Sequence, residues 1–438
     1  MPKRQGLLIV TAFVLTLLAC HLVQAQSGWV PVEKSENIQW NADPRTALTL
    51  EDLQNMALES NPTLEQARAG LQRADGRRIQ AGLSPNPRIG YTSSEIGNEG
   101  AAGQQGAFIS QEIVRGGKLR LSQLVASHAQ QQAQSSLTIQ QQRVLSAVRL
   151  EYVQVLAAEQ MRTLASKIVS LAKEGHNAAE ASLRDRGTRR DVIRAKNEVA
   201  RAELLLIAAN IDYDASWRRL RAVIGNPDLR PTPLTGDLRR NIPNLTWEDS
   251  WNRLAANSPL LTRSKQGVDR ARAALHRARV EPIPNVTLQA TTQYDFSTRT
   301  QVAGIQLGFS LPIRNRNQGN IIAAQADYLH AVREVERLKW QLQHQLADVF
   351  RQYATNRAQV DGYRRIIKAD YKSLELSRDL VKAGELNYIE LLTAQRTYTQ
   401  SNKEYIQALS TLWENIVRID GLLLVDGLAS PVSQTDRQ

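Results

Sequence analysis

The chain is poor in the residues on which disulfide-stapled, metal-binding and many catalytic proteins rely. It holds one cysteine, Cys20, so no disulfide framework exists. Only Met56 and Met161 join the starting methionine, too few for a soft thioether metal site. The histidines (His21, His128, His176, His276, His330 and His344) make no pair at i, i+3 or i, i+4, so no helix offers two imidazoles to one metal. His330 and His344 return to a similar helix face but stand ~21 Å apart. Neither G-x-S-x-G nor H-E-x-x-H occurs, which opposes an exported hydrolase. No catalytic residue, cofactor or metal ligand is expected. Beyond the N-terminus no segment approaches the ~20 apolar residues of a membrane helix, which excludes an inner-membrane pump. Alternating β-barrel strands remain open, because they leave only a weak hydropathy trace.

Charge is plentiful but unfocused. The formal net charge is +12, which raises the question of nucleic acid. The lysines and arginines are scattered along helical faces among glutamates and aspartates, with no arginine-rich arm, so no nucleic-acid partner is expected. At the N-terminus, Lys3 and Arg4 precede the apolar stretch Leu7 to Leu18, the pattern of an export signal. Val23-Gln24-Ala25 suits ordinary signal peptidase and ends the signal at residue 25. Leu17-Leu18-Ala19-Cys20 suits a lipobox, which ends it at 19 and makes Cys20 an acylated first residue. The sequence leaves both open. Residues 26–47 are polar and aperiodic and read as an extended arm.

What the chain has is a long internal repeat. Leu48-Thr49-Leu50-Glu51-Asp52 returns as Leu245-Thr246-Trp247-Glu248-Asp249. Asn61-Pro62 returns as Ser258-Pro259, and Pro85-Asn86-Pro87 as Pro282-Ile283-Pro284, each at an offset of 197. One spacing at three landmarks marks a domain duplication. The repeats span 48–228 and 245–422, with a linker over 229–244 and a disordered tail over 423–438.

Each repeat reads the same way. One helix is expected from the Leu-Thr start to the proline pair, with Thr49 and Thr246 as N-caps. Two strands follow, at 88–96 and 105–113 in the first repeat and at 285–296 and 301–311 in the second. A very long helix comes next, from Lys118 to Arg184 and from Ile321 to Lys382. In the second, Ala331, Val335, Leu338, Leu342, Leu346, Val349 and Tyr353 step by three or four, as a buried stripe requires. Gly187 and Gly384 break these rods. A returning helix follows, with Tyr398, Tyr405, Leu409, Leu412, Ile416 and Ile419 at heptad-like spacing. Eight positions separate Gly187 from Ala195 and ten separate Gly384 from Ala394, so the first tip is expected to be the shorter.

The strands decide the setting. Val286 and Leu288 share a face with Ala290, Tyr294 and Phe296, opposite Thr287, Gln289, Thr291 and Gln293; Ile305, Leu307 and Phe309 alternate with Gln306 and Gly308. One face suits lipid and the other a polar lumen. Four such strands cannot stand alone in a bilayer, because unpaired edge N–H and C=O groups in hydrocarbon cost several kcal/mol each. Closure takes about eight strands or more, so copies must share the wall, and three copies supply twelve.

Several motifs point to one family. Besides the two Leu-Thr-x-Glu-Asp starts and Pro85-Asn86-Pro87, they are Gln111-Glu112-Ile113 leading to Gly116-Gly117-Lys118, Ser310-Leu311-Pro312 leading to Arg316-Asn317-Gln318-Gly319-Asn320, and Leu391-Leu392-Thr393-Ala394-Gln395-Arg396-Thr397-Tyr398. On these the chain resembles TolC-like outer-membrane efflux proteins over Leu48 to Gly421, most like the CzcC branch serving cobalt, zinc and cadmium exporters. The resemblance implies a mainly α fold with a small β part: a homotrimer whose twelve-stranded outer-membrane β-barrel continues as a periplasmic α-helical barrel. It implies a passive exit duct, with no enzymatic activity, fed by a proton-driven inner-membrane pump through a periplasmic adaptor. A drug or type I secretion duct of the same fold is the alternative. A periplasmic coiled-coil adaptor is the alternative of another class, and it leaves the lipid-compatible strands unexplained.

The tips carry the remaining candidates. Arg184, Asp185, Arg186, Arg189, Arg190 and Asp191 form the densest mixed-charge cluster and are read as gate residues. The bland alternative is a solvated turn, whose exposed pairs contribute little. Gly187, Gly384, Glu385, Leu386 and Asn387 are expected, by the resemblance, to meet the adaptor.

Overall fold

The structure, a computed structural model of one chain, describes residues 47–97, 100, 102–183, 188–383 and 385–431. The export signal, Cys20 and the arm up to residue 46 lie outside the described residues. In chain order the elements are α1 (Leu50–Ser60), α2 (Pro62–Ala81), β1 (Arg88–Ser94), β2 (Gln104–Ile113), α3 (Lys118–Ser182), α4 (Arg189–Ile224), α5 (Trp247–Asn257), α6 (Pro259–Val280), β3 (Val286–Asp295), β4 (Thr300–Phe309), α7 (Gln318–Lys382) and α8 (Tyr388–Asp420).

Each repeat opens as its sequence indicates, with one correction. Thr49 closes a capping box: its hydroxyl accepts from the Asp52 amide at 3.2 Å, and the Asp52 carboxylate accepts from the Thr49 amide at 2.9 Å. Thr246 caps α5 through its side chain, accepting from the Asp249 amide at 3.2 Å. The single helix expected to follow is in fact two. Pro62 and Pro259 each stand at the first position of a new helix, after Asn61 and Ser258 in extended conformation. A proline disfavours helical geometry in the residue before it, yet it suits a first turn, where its missing N–H is not needed.

α3 and α7 are 65 residues each, rods of roughly 100 Å. Both start from a left-handed residue, Gly117 at φ 65° and Asn317 at φ 61°. Glycine adopts that conformation without penalty. Asn317 also gains an anchor, since its amide donates to the Ala278 carbonyl at 2.8 Å. The backbone sense of the two strand-to-helix joints is therefore the same, although their sequences differ.

The tips need a second correction. The first connection, residues 183–188, is one residue longer than the second, 383–387. Thr188 caps α4 one residue after Gly187, whereas Asn387 caps α8 three residues after Gly384. The glycines are thus not equivalent landmarks, and counting from them misplaced the register.

Core packing lies where α3, α4, α7 and α8 meet the short helices. Trp217, Leu220, Leu342, Leu346, Leu409, Leu412 and Ile416 are buried there with Leu53 and Leu64. The linker is part of this packing. Leu238 is buried, its carbonyl accepts from the Trp413 indole at 2.7 Å, and the Tyr353 hydroxyl donates to the Pro243 carbonyl at 3.0 Å. The tail expected to be disordered over 423–438 is packed as far as residue 431. Leu424 is buried, and the Gly427 carbonyl accepts from Gln140 Nε2 and Thr63 Oγ1, each at 3.2 Å. Those buried donors supply the partners a loose tail would lack. Residues 432–438 lie outside the described residues.

Two stability outcomes follow. Leu412→Ala removes a fully buried side chain and is expected to cost about 2–5 kcal/mol, read as a lowered denaturant midpoint. Glu159, half-buried on α3, has its carboxyl pushed up by burial, an effect Arg162 opposes. A raised carboxyl favours folding below its ordinary range and loses that contribution as pH rises through the shifted value. Glu159→Gln is therefore expected to raise Tm at about pH 7.5, with the gain vanishing near pH 4.

Candidate functional site

The four strands form one antiparallel sheet in the order β1-β2-β3-β4, so the two repeats join through β2 and β3. Pairing aligns the pattern across the sheet. Val286 faces Phe309, Leu288 faces Leu307 and Ala290 faces Ile305. Ile109 pairs with Ala290 on one side and with Ile89 on the other. These side chains share one face, and it is bare: Ile305 is 83% exposed, Ile89 78% and Leu307 64%. A contiguous apolar face of this kind marks a contact with lipid or protein.

The opposite face carries Thr287, Gln289, Thr291 and Gln293, matched to Gly308, Gln306, Gly304 and Val302 on β4 and to Glu112, Ser110, Phe108 and Gly106 on β2. Phe108 is the member that alternation alone did not single out. It lies over Gly90, where a Cβ would come within 2.6 Å of its ring. The outer edges of β1 and β4 have no neighbouring strand in the sheet.

Beneath the sheet a polar cluster ties the repeats together. Asn285 donates to the Glu112 carboxylate at 2.7 Å and accepts from the buried Lys118 ammonium at 3.2 Å. Lys118 also lies 3.9 Å from Glu281, which pairs with Arg277. The side chains reach from both strand ends to α3 and α6, so the joint is fixed by charge as well as by backbone.

At the far end the candidates divide. Arg184, Asp185, Arg186, Gly187 and Gly384 lie outside the described residues. Arg189 and Arg190 are exposed on the first turn of α4. The Asp191 carboxylate accepts from the Thr188 hydroxyl at 2.7 Å in a capping box, and Arg194 stands 4.0 Å away. Asn387 is likewise an N-cap, accepting from the Ile389 and Glu390 amides at 2.9 and 3.2 Å. The Glu385 and Leu386 amides both donate to the Leu380 carbonyl, at 2.9 and 3.3 Å, closing the end of α7.

The contacts between hairpins come from residues the sequence reading passed over. Arg378 on α7 meets Glu174 on α3 at 2.7 Å. Arg396 on α8 meets Glu198 on α4 through Nη2 at 2.7 Å and Nε at 3.2 Å. Between them Tyr388 is buried with Ala179, Ala195, Leu374, Leu391 and Leu392. Its ring packs by Gly175, and burial followed by the Glu198 carboxylate pushes its hydroxyl up. A signal was available: the paired residues are 198 and 204 positions apart, close to the repeat offset.

Among the described residues no group of three or more His, Cys, Asp or Glu could hold a metal ion, and no helix is long and apolar enough to cross a membrane.

Known proteins fit this architecture. A cobalt-zinc-cadmium resistance protein, CzcC, of Cupriavidus metallidurans is 26% identical over 387 residues, 87% of this chain and 91% of that protein. The protease secretion protein PrtF of Dickeya chrysanthemi is 23% identical over 232 residues, half of each chain. The crystal structure of CusC, described as forming a transmembrane channel, superposes with a TM-score of 0.73 at 16% identity, over 91% of this chain and 98% of that one. The family described as outer membrane efflux protein matches residues 53–226 and 251–423, one stretch in each repeat. The chain belongs to the outer membrane efflux protein family.

Proposed function

We propose that three copies close a twelve-stranded barrel, with β4 of each chain pairing with β1 of the next. The observation that carries this reading is the sheet: one apolar face, one polar face and two unpaired edges. Val286, Leu288, Ile305, Leu307 and Phe309 then meet outer-membrane lipid, while Thr287, Gln289, Thr291 and Gln293 line the lumen. The rods α3 and α7 continue the wall into the periplasm. The channel is a passive exit duct for heavy-metal cations, delivered by a proton-driven inner-membrane pump through a periplasmic adaptor. The cation assignment is supported by the likeness to CzcC over most of both chains, against half for PrtF. Cys20, if it is the first residue of the mature chain, adds an acyl anchor to the same membrane.

The hairpin tips close the duct in this reading. Arg184, Asp185, Arg186, Arg189, Arg190 and Asp191 contribute pairs between chains, while Arg378–Glu174 and Arg396–Glu198 hold the two hairpins of one chain together. Gly187, Gly384, Glu385, Leu386 and Asn387 form the surface offered to the adaptor. Exposed pairs contribute about 0.2–1 kcal/mol each, weak enough for a partner to break yet repeated in every copy.

Two measurements test these roles. Glu174→Gln with Glu198→Gln is expected to raise single-channel conductance severalfold in planar bilayers; unchanged conductance would remove these pairs from the gate. Expressed with a cognate cation pump and adaptor in a metal-sensitive host, the chain is expected to restore cobalt, zinc or cadmium tolerance. Restoration of protease secretion or drug export without metal tolerance would replace the cargo assignment.

A further inference from the structure

The seam between the two helical hairpins encloses a polar atom that nothing satisfies. Tyr388 is the first residue of α8 and is 9% exposed. It is enclosed by Gly175 and Ala179 of α3, Ala195 of α4, Leu374 of α7, and Leu391 and Leu392 of its own helix. Its hydroxyl is shut off from the surface and has no hydrogen-bond partner among the described residues. One residue beyond Gly175, the buried Nδ1 of His176 is unpaired as well. A buried phenol ordinarily finds a partner, because losing its bond to water without replacement is costly.

Local geometry explains why the group stays unsatisfied. A Cβ at Gly175 would come within 3.2 Å of the hydroxyl and 3.7 Å of Gln395 Nε2, so α3 meets the ring with bare backbone. Inside a helix that backbone is spent on its own i to i−4 bonds and offers no spare donor. The nearby carboxylates are committed elsewhere: Glu198 holds Arg396, and Asp191 accepts from Thr188. Burial, then Glu198, pushes the hydroxyl's pKa up against the opposing charge of Arg396, so the group is a protonated donor at neutral pH. The hydroxyl is buried within a single chain. Neither another copy nor lumen water reaches it while the hairpins stay packed.

A packed seam and a parted one therefore differ in polar satisfaction. Packed, the apolar cluster is dry and one donor is lost; parted, water reaches the hydroxyl. The pairs Arg378–Glu174 and Arg396–Glu198 favour the packed state, but both are partly exposed and contribute little each. Against so small a gain, one unpaired hydroxyl is a comparable loss. We infer that Tyr388 biases the two hairpins of one chain toward parting, which makes the tip a two-state element rather than a fixed seal. A phenylalanine at this position fills the same space and carries no such bias. The consequence for conduction rests on the proposed reading that the hairpin tips close the duct.

The test compares Tyr388→Phe with the unaltered full-length channel in detergent, by hydrogen exchange of the amides from Leu391 to Gln395. Exchange there is expected to slow about fivefold or more, because the packed seam no longer strands a donor. Tyr328→Phe, on α7 roughly 80 Å from the tip end of that helix, is expected to leave it unchanged. Unaltered or faster exchange in Tyr388→Phe would overturn the inference. Planar bilayers separate the bias from the gate. Slower exchange with fewer openings supports both, whereas slower exchange with unchanged openings keeps the bias and defeats the gate reading. Unaltered exchange in Tyr388→Phe, with conductance still raised by Glu174→Gln and Glu198→Gln, defeats the bias alone.

Discussion

The rest of the structure depends on backbone hydrogen bonding at the edges of a four-stranded sheet. β1 and β4 each present a row of N–H and C=O groups with no neighbouring strand, and the face between them is apolar. In water such an edge invites aggregation; in hydrocarbon every unpaired group is costly. Membership of an outer-membrane family places the sheet in the second setting, where only a closed ring of strands satisfies the backbone. The proposal that copies of the chain share one wall follows from that constraint.

Duplication makes the constraint tractable. Each repeat contributes a hairpin of strands and a long helical hairpin, and the two are bonded by β2 to β3 rather than left as separate modules. Equivalent positions then become neighbours. Gly117 and Asn317 set the same left-handed start for α3 and α7, and Arg396 meets Glu198 nearly one repeat away. The joint cluster of Glu112, Lys118, Glu281 and Asn285 adds a polar tie across the repeats where strands give way to helices.

Much of this was legible in the residues. Alternation in 285–296 and 301–311 identified both strands, which the structure bounds at Val286–Asp295 and Thr300–Phe309, and both faces, because a period of two leaves no other arrangement of side chains. The stripe Leu342, Leu346 and Tyr353 and the stripe Leu409, Leu412 and Ile416 are buried as their spacing requires. Other features were not legible. Pro62 and Pro259 looked like the interior of one helix until Asn61 and Ser258 proved to stand at the N-cap positions of second helices. The tip glycines looked equivalent until Thr188 and Asn387 started their helices at different distances from them. The tail looked loose because its partners, Gln140 and Thr63, lie roughly 300 residues away in sequence.

Sequence alone determined the period, the rods and the strands, because those follow from local patterning. Tertiary structure decided what touches what. It joined the repeats into one sheet, paired Arg378 with Glu174 and Arg396 with Glu198, and folded the linker and tail into the core. Charge and burial act through space, and a linear pattern carries no distance between residues two hundred positions apart.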